Sequence, residues 1–129
     1  MIVLDTDVLI DVVDQREPSF GFVAKLQAGG EVIGTTSINT AEVLRGVAPN
    51  TRASERVARV LAALQEVPFG PRASRRFGAI MHAADRSGAA LAVVDGLIAA
   101  ATLESGGRLV TRNARDFDRI SGLDILSPA

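Results

Sequence analysis

The chain alternates short apolar runs with segments in which apolar residues recur every three or four positions. Runs of the first kind predict strands, and spacing of the second kind predicts helices. The predicted extended segments cover residues 1–4, 31–34, 67–69, 90–94, 108–111 and 124–126. Strands that alternate with helices form a parallel sheet covered on both faces, so the pattern predicts an α/β fold.

The helical segments begin and end at residues that usually mark helix boundaries. Thr6 or Asp7 is a suitable cap for the first helix, and Ser37 or Asn39 for the third. Several of the other helices are expected to begin at a proline or to end at a glycine. The predicted helices run from 6 or 7 through 13, from 18 to 28, from 37 or 39 to 45, over 52–66, from 71 to 87 and from 95 to 105, with a last turn in 113–117.

Composition narrows the class of protein. With 129 residues, of which 47% are hydrophobic, we expect one domain over residues 1–129. The absence of cysteine excludes disulfides and thiolate metal sites, and the single histidine, His82, disfavours zinc. No apolar run is long enough to cross a bilayer, and the start lacks the basic region of a signal peptide. We therefore expect a cytoplasmic protein with no membrane partner.

Charge is distributed unevenly, although the net charge is only −1. Residues 1–44 carry two basic and seven acidic side chains, whereas residues 45–86 carry eight basic and three acidic. The acidic part offers metal ligands, and the basic part offers contacts to phosphate. As a set, its arginines are better explained as a solvated face of which a few contact RNA, and His82 is better explained by a structural role than by catalysis.

Four acidic residues lie beside predicted strand ends or early in helices: Asp5, Glu42, Asp95 and Asp116. In a parallel sheet the ligand site lies at the carboxyl ends of the strands, so these side chains are expected at one edge. Clustered carboxylates are costly to desolvate unless a cation neutralises them. Because carboxylate oxygens are the ligands that Mg²⁺ and Mn²⁺ prefer, the pattern predicts a metal-dependent enzyme acting on phosphate esters.

Four sequence blocks carry a family resemblance: LDTDVLID, TSINTAEVLRG, VVDGLIAAA and LVTRNARDFDRISGL. Together they resemble a PIN-domain ribonuclease and, more narrowly, the toxin of the VapBC toxin–antitoxin modules. The resemblance implies a three-layer α/β/α sandwich around a central parallel sheet. It also implies Mg²⁺- or Mn²⁺-dependent cleavage of RNA by metal-activated water, inhibition by a cognate antitoxin, and a homodimer.

The resemblance assigns roles to individual residues. Asp5 and Asp95 match the metal-ligating aspartates, and Glu42 matches the acid of the helix after the second strand. Thr6 matches a hydroxyl that orients the site. In the fourth block Asn113 stands where some relatives have aspartate, so the fourth ligand is Asp116, Asn113 or Asp118, with Asp116 preferred.

Further expectations concern partners. Asp7 is a metal ligand or a helix cap. Arg112 and Arg115 flank the proposed site and are expected to contact RNA or an antitoxin. An antitoxin helix is expected in a groove between the first two helices and the helix of Glu42 and Leu44, and a dimer is expected through an apolar stripe on the fifth helix. The groove residues are Leu9, Val12, Val13, Phe22, Glu42 and Leu44, and the stripe residues are Phe77, Ile80, Met81 and Ala84.

Two other functional classes fit the first block. Asp5 and Asp7 after a strand also look like the opening of a haloacid-dehalogenase-type phosphatase. A receiver-type phosphoacceptor domain is a non-catalytic alternative, as is a PIN domain that binds RNA without cutting it. The first two classes need a late lysine, and Lys25 is the only lysine of the chain.

Overall fold

The computed structural model describes residues 1–128 and contains one parallel sheet. The strands are β1 Ile2–Leu4, β2 Ile33–Thr36, β3 Gln65–Val67, β4 Arg108–Val110 and β5 Ile125–Leu126. Their order across the sheet is β3-β2-β1-β4-β5, and every neighbouring pair is parallel. The predicted parallel sheet is therefore confirmed.

Helices cover both faces of this sheet. They are α1 Thr6–Val13, α2 Ser19–Ala28, α3 Ser37–Arg45, α4 Arg52–Ala63, α5 Pro71–Ser87 and α6 Val93–Ser105. Ile2 and Leu4 point into a core shared with α1 to α4, whereas Val3 points into a second core shared with α6. Burial on both faces of one strand is what an α/β/α sandwich requires, so the predicted architecture is confirmed.

The carboxyl ends of β1, β2 and β4 meet at one edge of the sheet. Asp5 follows β1 directly, α3 begins directly after β2, and Thr111 follows β4. The Asp5 amide donates to the Val110 carbonyl at 2.9 Å, which ties the ends of β1 and β4 together. Side chains from distant parts of the sequence are thereby collected at this edge.

Two strand predictions were displaced. β2 lies at Ile33–Thr36 rather than 31–34, because two buried threonines complete it. The Thr35 hydroxyl donates to the Leu4 carbonyl at 2.8 Å, so this polar residue is satisfied inside the sheet. β3 lies at Gln65–Val67 rather than 67–69. It is an edge strand with only Val67 buried, so a search for apolar runs placed it too late and extended α4 too far.

The extended run predicted at 90–94 was wrong. Val93 and Val94 form the first turn of α6, where they are 59% and 38% exposed. Ala92 is the cap of this helix, and its carbonyl accepts the Gly96 amide at 3.0 Å. Two adjacent valines therefore favoured a strand in a segment that has no strand beside it.

The helix ends agree well with the sequence, but two expectations need correction. Asp5, itself a good capping residue, caps α1 in place of Thr6 or Asp7, and Thr36, rather than Ser37 or Asn39, caps α3. Gly88 and Gly106 both have φ of +71° and end α5 and α6 as predicted. Both glycines adopt the left-handed conformation that most residues avoid.

Part of the apolar stripe on α5 is used within this chain. A Cβ atom at Gly96 of α6 would lie 2.7 Å from the Met81 sulfur and 3.1 Å from the Phe77 ring. This close approach of α6 needs glycine at that position. Phe77 and Met81 therefore pack mainly inside the protomer, which leaves Ile80 and Ala84 beside an open groove.

The predicted antitoxin groove also needs correction. Leu9 is fully buried in the core and is not available to a partner. The open groove at this end lies between α1, α3 and α4 instead, and includes Ile10, Val13, Glu42 and Val47. Within residues 1–128, no helix is both long and apolar enough to cross a membrane.

Candidate metal centre

Asp5 is held at the centre of the sheet edge by three donors. It accepts the Thr6 amide at 2.9 Å, the Thr111 hydroxyl at 2.7 Å and the Asn39 side-chain amide at 3.3 Å. Burial raises the pKa of Asp5, the Thr111 hydrogen bond opposes that rise, and the charges of Asp7 and Glu42 add to it. The three donors fix this carboxylate from the ends of β1, β2 and β4.

Glu42 is oriented by a chain of hydrogen bonds. The Thr6 hydroxyl donates to Glu42 Oε1 at 2.5 Å and accepts the Asn39 side-chain amide at 2.9 Å. Asn39 is fixed in turn, because its Oδ1 accepts the Thr36 hydroxyl at 2.6 Å. The expected orienting role of Thr6 therefore has a geometric basis, since its hydroxyl is committed to one partner on each side.

Asp95 lies in the first turn of α6 and faces the other acids. Its pKa is raised to about 6, first by burial and then by the charges of Asp116, Asp5 and Glu42. Four acidic groups from four different segments thus act on one another through space. The four acids singled out in the sequence are therefore the ones whose charges together set the pKa of Asp95.

The three candidates for the fourth metal ligand differ in their surroundings. Asp116 ends a short 3-10 turn, Ala114–Asp116, and its charge raises the pKa of Asp95. Asp118 is exposed and lines a neighbouring groove, and it is not among the charges that act on Asp95. The side-chain amide of Asn113 donates to Asp7 Oδ2 at 3.0 Å. The fourth ligand therefore stays a prediction, with Asp116 preferred because its charge acts on Asp95.

Asp7 belongs to a second set of contacts beside the first. Burial raises its pKa, while its bonds to the backbone amides of Val8 and Arg112 oppose that rise. The Arg112 guanidinium lies 3.0 Å from Asp11, whose carboxylate also accepts the Ser19 hydroxyl at 2.7 Å. Arg112 is thus engaged within the protomer, whereas Arg115 is exposed and lines a groove.

The donor set suits a hard cation, but the side chains do not form a finished cage. All four groups offer carboxylate oxygens, and burial followed by the charges of the other three raises the pKa of Asp95. Within residues 1–128, no three acidic or histidine side chains already converge in a geometry that could hold a metal ion. The chemistry of the residues fits a divalent metal, and their arrangement leaves the site open to solvent and substrate.

Sequence reasoning missed the residues that position the acids. Thr111 and Asn39 are both fully buried and contact Asp5 directly. Their signals are present but weak: Thr111 directly follows an apolar strand, and Thr36 and Asn39 have the spacing of a capping box. His82 is exposed on α5 and makes no contribution to the acidic group.

Comparison with known proteins agrees with this geometry. The sequence model of the PIN domain matches residues 2–123. VapC ribonuclease Y4jK of Sinorhizobium fredii is 33% identical, over 99% of this chain and 97% of that protein. The structure of VapBC2 from Rickettsia felis, bound to a promoter DNA fragment, contains a chain with a TM-score of 0.88 and 22% identity, covering 98% of both chains.

A second solved structure extends the agreement. DNA-bound VapBC from Salmonella typhimurium contains a chain with a TM-score of 0.82 and 25% identity, covering 99% of this chain and 98% of that one. The matches extend over nearly the whole chain. They set aside the phosphatase and phosphoacceptor alternatives. The chain belongs to the PIN-domain family and, within it, to the VapC ribonucleases.

Proposed function

We propose that this chain is the toxin of a type II toxin–antitoxin module and cleaves RNA phosphodiesters with Mg²⁺, or Mn²⁺, at Asp5, Glu42, Asp95 and Asp116. The observation that carries this proposal is the hydrogen-bond network that holds two of the acids at the carboxyl ends of the strands: Thr111 and Asn39 donate to Asp5, and Thr6 donates to Glu42. A cation bound among these groups would relieve their repulsion. The family's metal dependence and the name of the S. fredii relative support the same conclusion.

Each residue of the site has a task in this proposal. When bound, a divalent cation supplies Lewis-acid chemistry, lowering the pKa of a water molecule and neutralising charge on the phosphate. Asp5 is fixed by Thr111 and Asn39, so it gives the site a rigid anchor. Glu42 is oriented by Thr6, and Asp95 and Asp116 add the remaining two carboxylates of the proposed site.

Solution experiments can test this activity. Purified protein should cut single-stranded RNA with Mg²⁺ or Mn²⁺ and stop when EDTA is added. It should not hydrolyse small phosphate monoesters, which a phosphatase would. Expression should arrest growth, and co-expression of a neighbouring small open reading frame should relieve the arrest. A protein that leaves RNA intact with both metals would refute the proposal.

An antitoxin partner is part of the proposal. The solved relatives are VapBC complexes, and a groove of about 300 Å³ lies between α1, α3 and α4. Its rim carries Ile10, which is 39% exposed, and Leu44 on α3 is 48% exposed. Because Glu42 also lines the groove, an amphipathic helix placed there could aim an arginine or lysine at the acids. We therefore expect the antitoxin to compete with metal.

Oligomeric state and location complete the proposal. The chain is expected to act as one PIN domain that forms a symmetric homodimer in the cytoplasm. Phe77 and Met81 of the predicted stripe pack against Gly96 of α6 inside the protomer, so the stripe as a whole does not define the dimer contact. Light scattering at high protein concentration tests the dimer, and a monomeric mass would contradict it.

A further inference from the structure

A large groove adjoins the acidic site on the α5 and α6 side. It has a volume of about 790 Å³ and lies between α5, the segment joining α5 to α6, and residues 115–121. Its apolar surface includes Ile80, Leu91 and Ile120. Asp5 and Glu42 do not line it, so the groove is a separate feature beside the acidic site.

The groove also carries cations that are available to a ligand. Arg115 and Arg119 line it and are exposed. Throughout residues 1–128, every ion pair is made by other arginines, so neither of these two is committed to a carboxylate. Arg76, which also lines the groove, is held by Glu104 at 2.8 Å. Two free guanidinium groups are suited to phosphate oxygens.

Asp116 connects the groove to the acidic site. It lines the groove, and it is also one of the four acids of the proposed site. A strand that placed one phosphodiester at the acids would therefore carry its next nucleotide towards this groove. The continuity gives the groove a fixed position relative to the bond that is cut.

We propose that this groove binds an unstacked base of the RNA next to the cleaved phosphodiester, with Arg115 and Arg119 on the flanking phosphates. This inference rests on the proposed ribonuclease function and adds a substrate subsite to it. Proteins that read single-stranded RNA splay out bases, place them against apolar or aromatic surface, and contact the backbone with arginine. A volume of this size falls in the range of small-ligand pockets and accommodates a base with its ribose.

A second copy of the chain is the competing occupant, and the charges of the groove disfavour it. Arg76, Arg115, Asp116, Asp118 and Arg119 all line the groove. Charged side chains are depleted at the centre of protein–protein interfaces because burying them is costly. A nucleotide, which pairs an apolar face with charged and hydrogen-bonding edges, suits this mixture better.

The test fills the groove without disturbing the core. Ala83 lines the groove and is exposed on α5, so Ala83→Trp adds bulk where a base would bind. Ala24→Trp is the matched control, because Ala24 is exposed on α2 far along the chain from the groove residues. Arg119→Ala, with Arg59→Ala on α4 as its control, tests the phosphate contact independently of packing.

Binding is measured without cleavage. A fluorescein-labelled single-stranded RNA of about 12 nucleotides, a typical length for one binding module, is titrated in EDTA by fluorescence anisotropy. Ala83→Trp and Arg119→Ala should each weaken binding about tenfold, the usual effect of losing one base or phosphate contact. The two control variants should bind as the unmodified protein does. With metal added, KM should rise more than kcat falls.

Three results would overturn the inference. If both groove variants bind RNA normally while the unmodified protein cleaves RNA, the subsite is wrong and the ribonuclease function stands. If the unmodified protein neither binds nor cleaves RNA, the proposed function fails and the subsite fails with it. If sedimentation shows that Ala83→Trp turns a dimer into a monomer, the groove is covered by a second copy.

Discussion

The Thr6 hydroxyl donates to Glu42 at 2.5 Å and thereby joins the start of α1 to the middle of α3. The same hydroxyl oxygen accepts a hydrogen bond from the Asn39 side-chain amide, so the hydroxyl proton is directed to Glu42. One threonine thus aims an acid that lies 36 positions away in the sequence. This contact makes Thr6 a positioning residue whose importance can be measured.

Replacing Thr6 with valine should lower the cleavage rate while keeping the shape of the side chain. We expect a loss of about tenfold or more, as for other residues that orient a metal ligand. Thr6→Ser keeps the hydroxyl and is expected to retain most activity. Initial rates at several Mg²⁺ concentrations would show a raised metal requirement in Thr6→Val only. Equal rates for the two variants would mean that Glu42 needs no such guidance.

Replacing Asp95 with asparagine should abolish cleavage and stabilise the metal-free protein. The pKa of Asp95 is raised from 3.8 to about 6, so above pH 6 the folded chain holds a charge that it disfavours. After allowance for solvent screening, relief of this repulsion is worth about 1 kcal/mol. In EDTA at pH 7, the melting temperature of Asp95→Asn should exceed that of the unmodified protein by about 3 °C.

The pH dependence of this difference has a definite sign. A raised folded-state pKa favours the protonated form in the folded protein, so Asp95 stabilises the fold at low pH. That stability is lost between about pH 4 and pH 6 as the proton leaves. The gap between Asp95→Asn and the unmodified protein should therefore vanish below pH 4. Asp85→Asn, at an exposed position of α5, should show no such trend.

The acidic site was foreseen from the sequence more completely than the contacts that build it. Strand ends could be located from apolar runs, and the four matched blocks singled out Asp5, Glu42, Asp95 and Asp116. The contacts of Thr111 and Asn39 with Asp5 were not foreseen, because a buried polar residue leaves no periodic signal and only the folded chain shows these bonds. Val93 and Val94 were wrongly assigned to a buried strand, because the exposure of an apolar residue cannot be read from its type.

Replacing Asp116 with asparagine should cost far more activity than the same change at Asp118. Asp116 acts on Asp95 electrostatically, whereas Asp118 does not. We expect about a hundredfold loss for Asp116→Asn, near the upper range for groups that support a metal site, and a much smaller one for Asp118→Asn. Isothermal titration with Mn²⁺ should show weaker binding only for Asp116→Asn. The reverse order would transfer the role of fourth acid to Asp118.

Replacing Arg112 with alanine should destabilise the fold. Its guanidinium lies 3.0 Å from Asp11, a carboxylate whose side chain is only 8% exposed. Loss of the partner leaves a buried charge supported by Ser19 alone, at a cost of about 2 kcal/mol in the free energy of unfolding. Urea denaturation measures this cost. Arg59→Ala, at an exposed position of α4, should change stability by less than about 0.5 kcal/mol.

Replacing Leu44 with glutamate should block the antitoxin without affecting catalysis. Leu44 is 48% exposed on α3, directly after the groove residue Val43 and two positions after Glu42. A charge there opposes the apolar face of an incoming helix. Val32→Glu is the control, because Val32 is 53% exposed and lies just before β2, at the sheet edge opposite the acids.

The readout of that experiment is rescue. Both variants should cut RNA at the normal rate when alone. Co-expression of the neighbouring small open reading frame should restore growth for Val32→Glu but not for Leu44→Glu. A pull-down of the two chains should show at least a tenfold weaker complex for Leu44→Glu only, since one buried anchor residue often contributes more than about 1.4 kcal/mol to binding. If the antitoxin still neutralises Leu44→Glu, it inhibits from another face and the groove between α1, α3 and α4 is not its site.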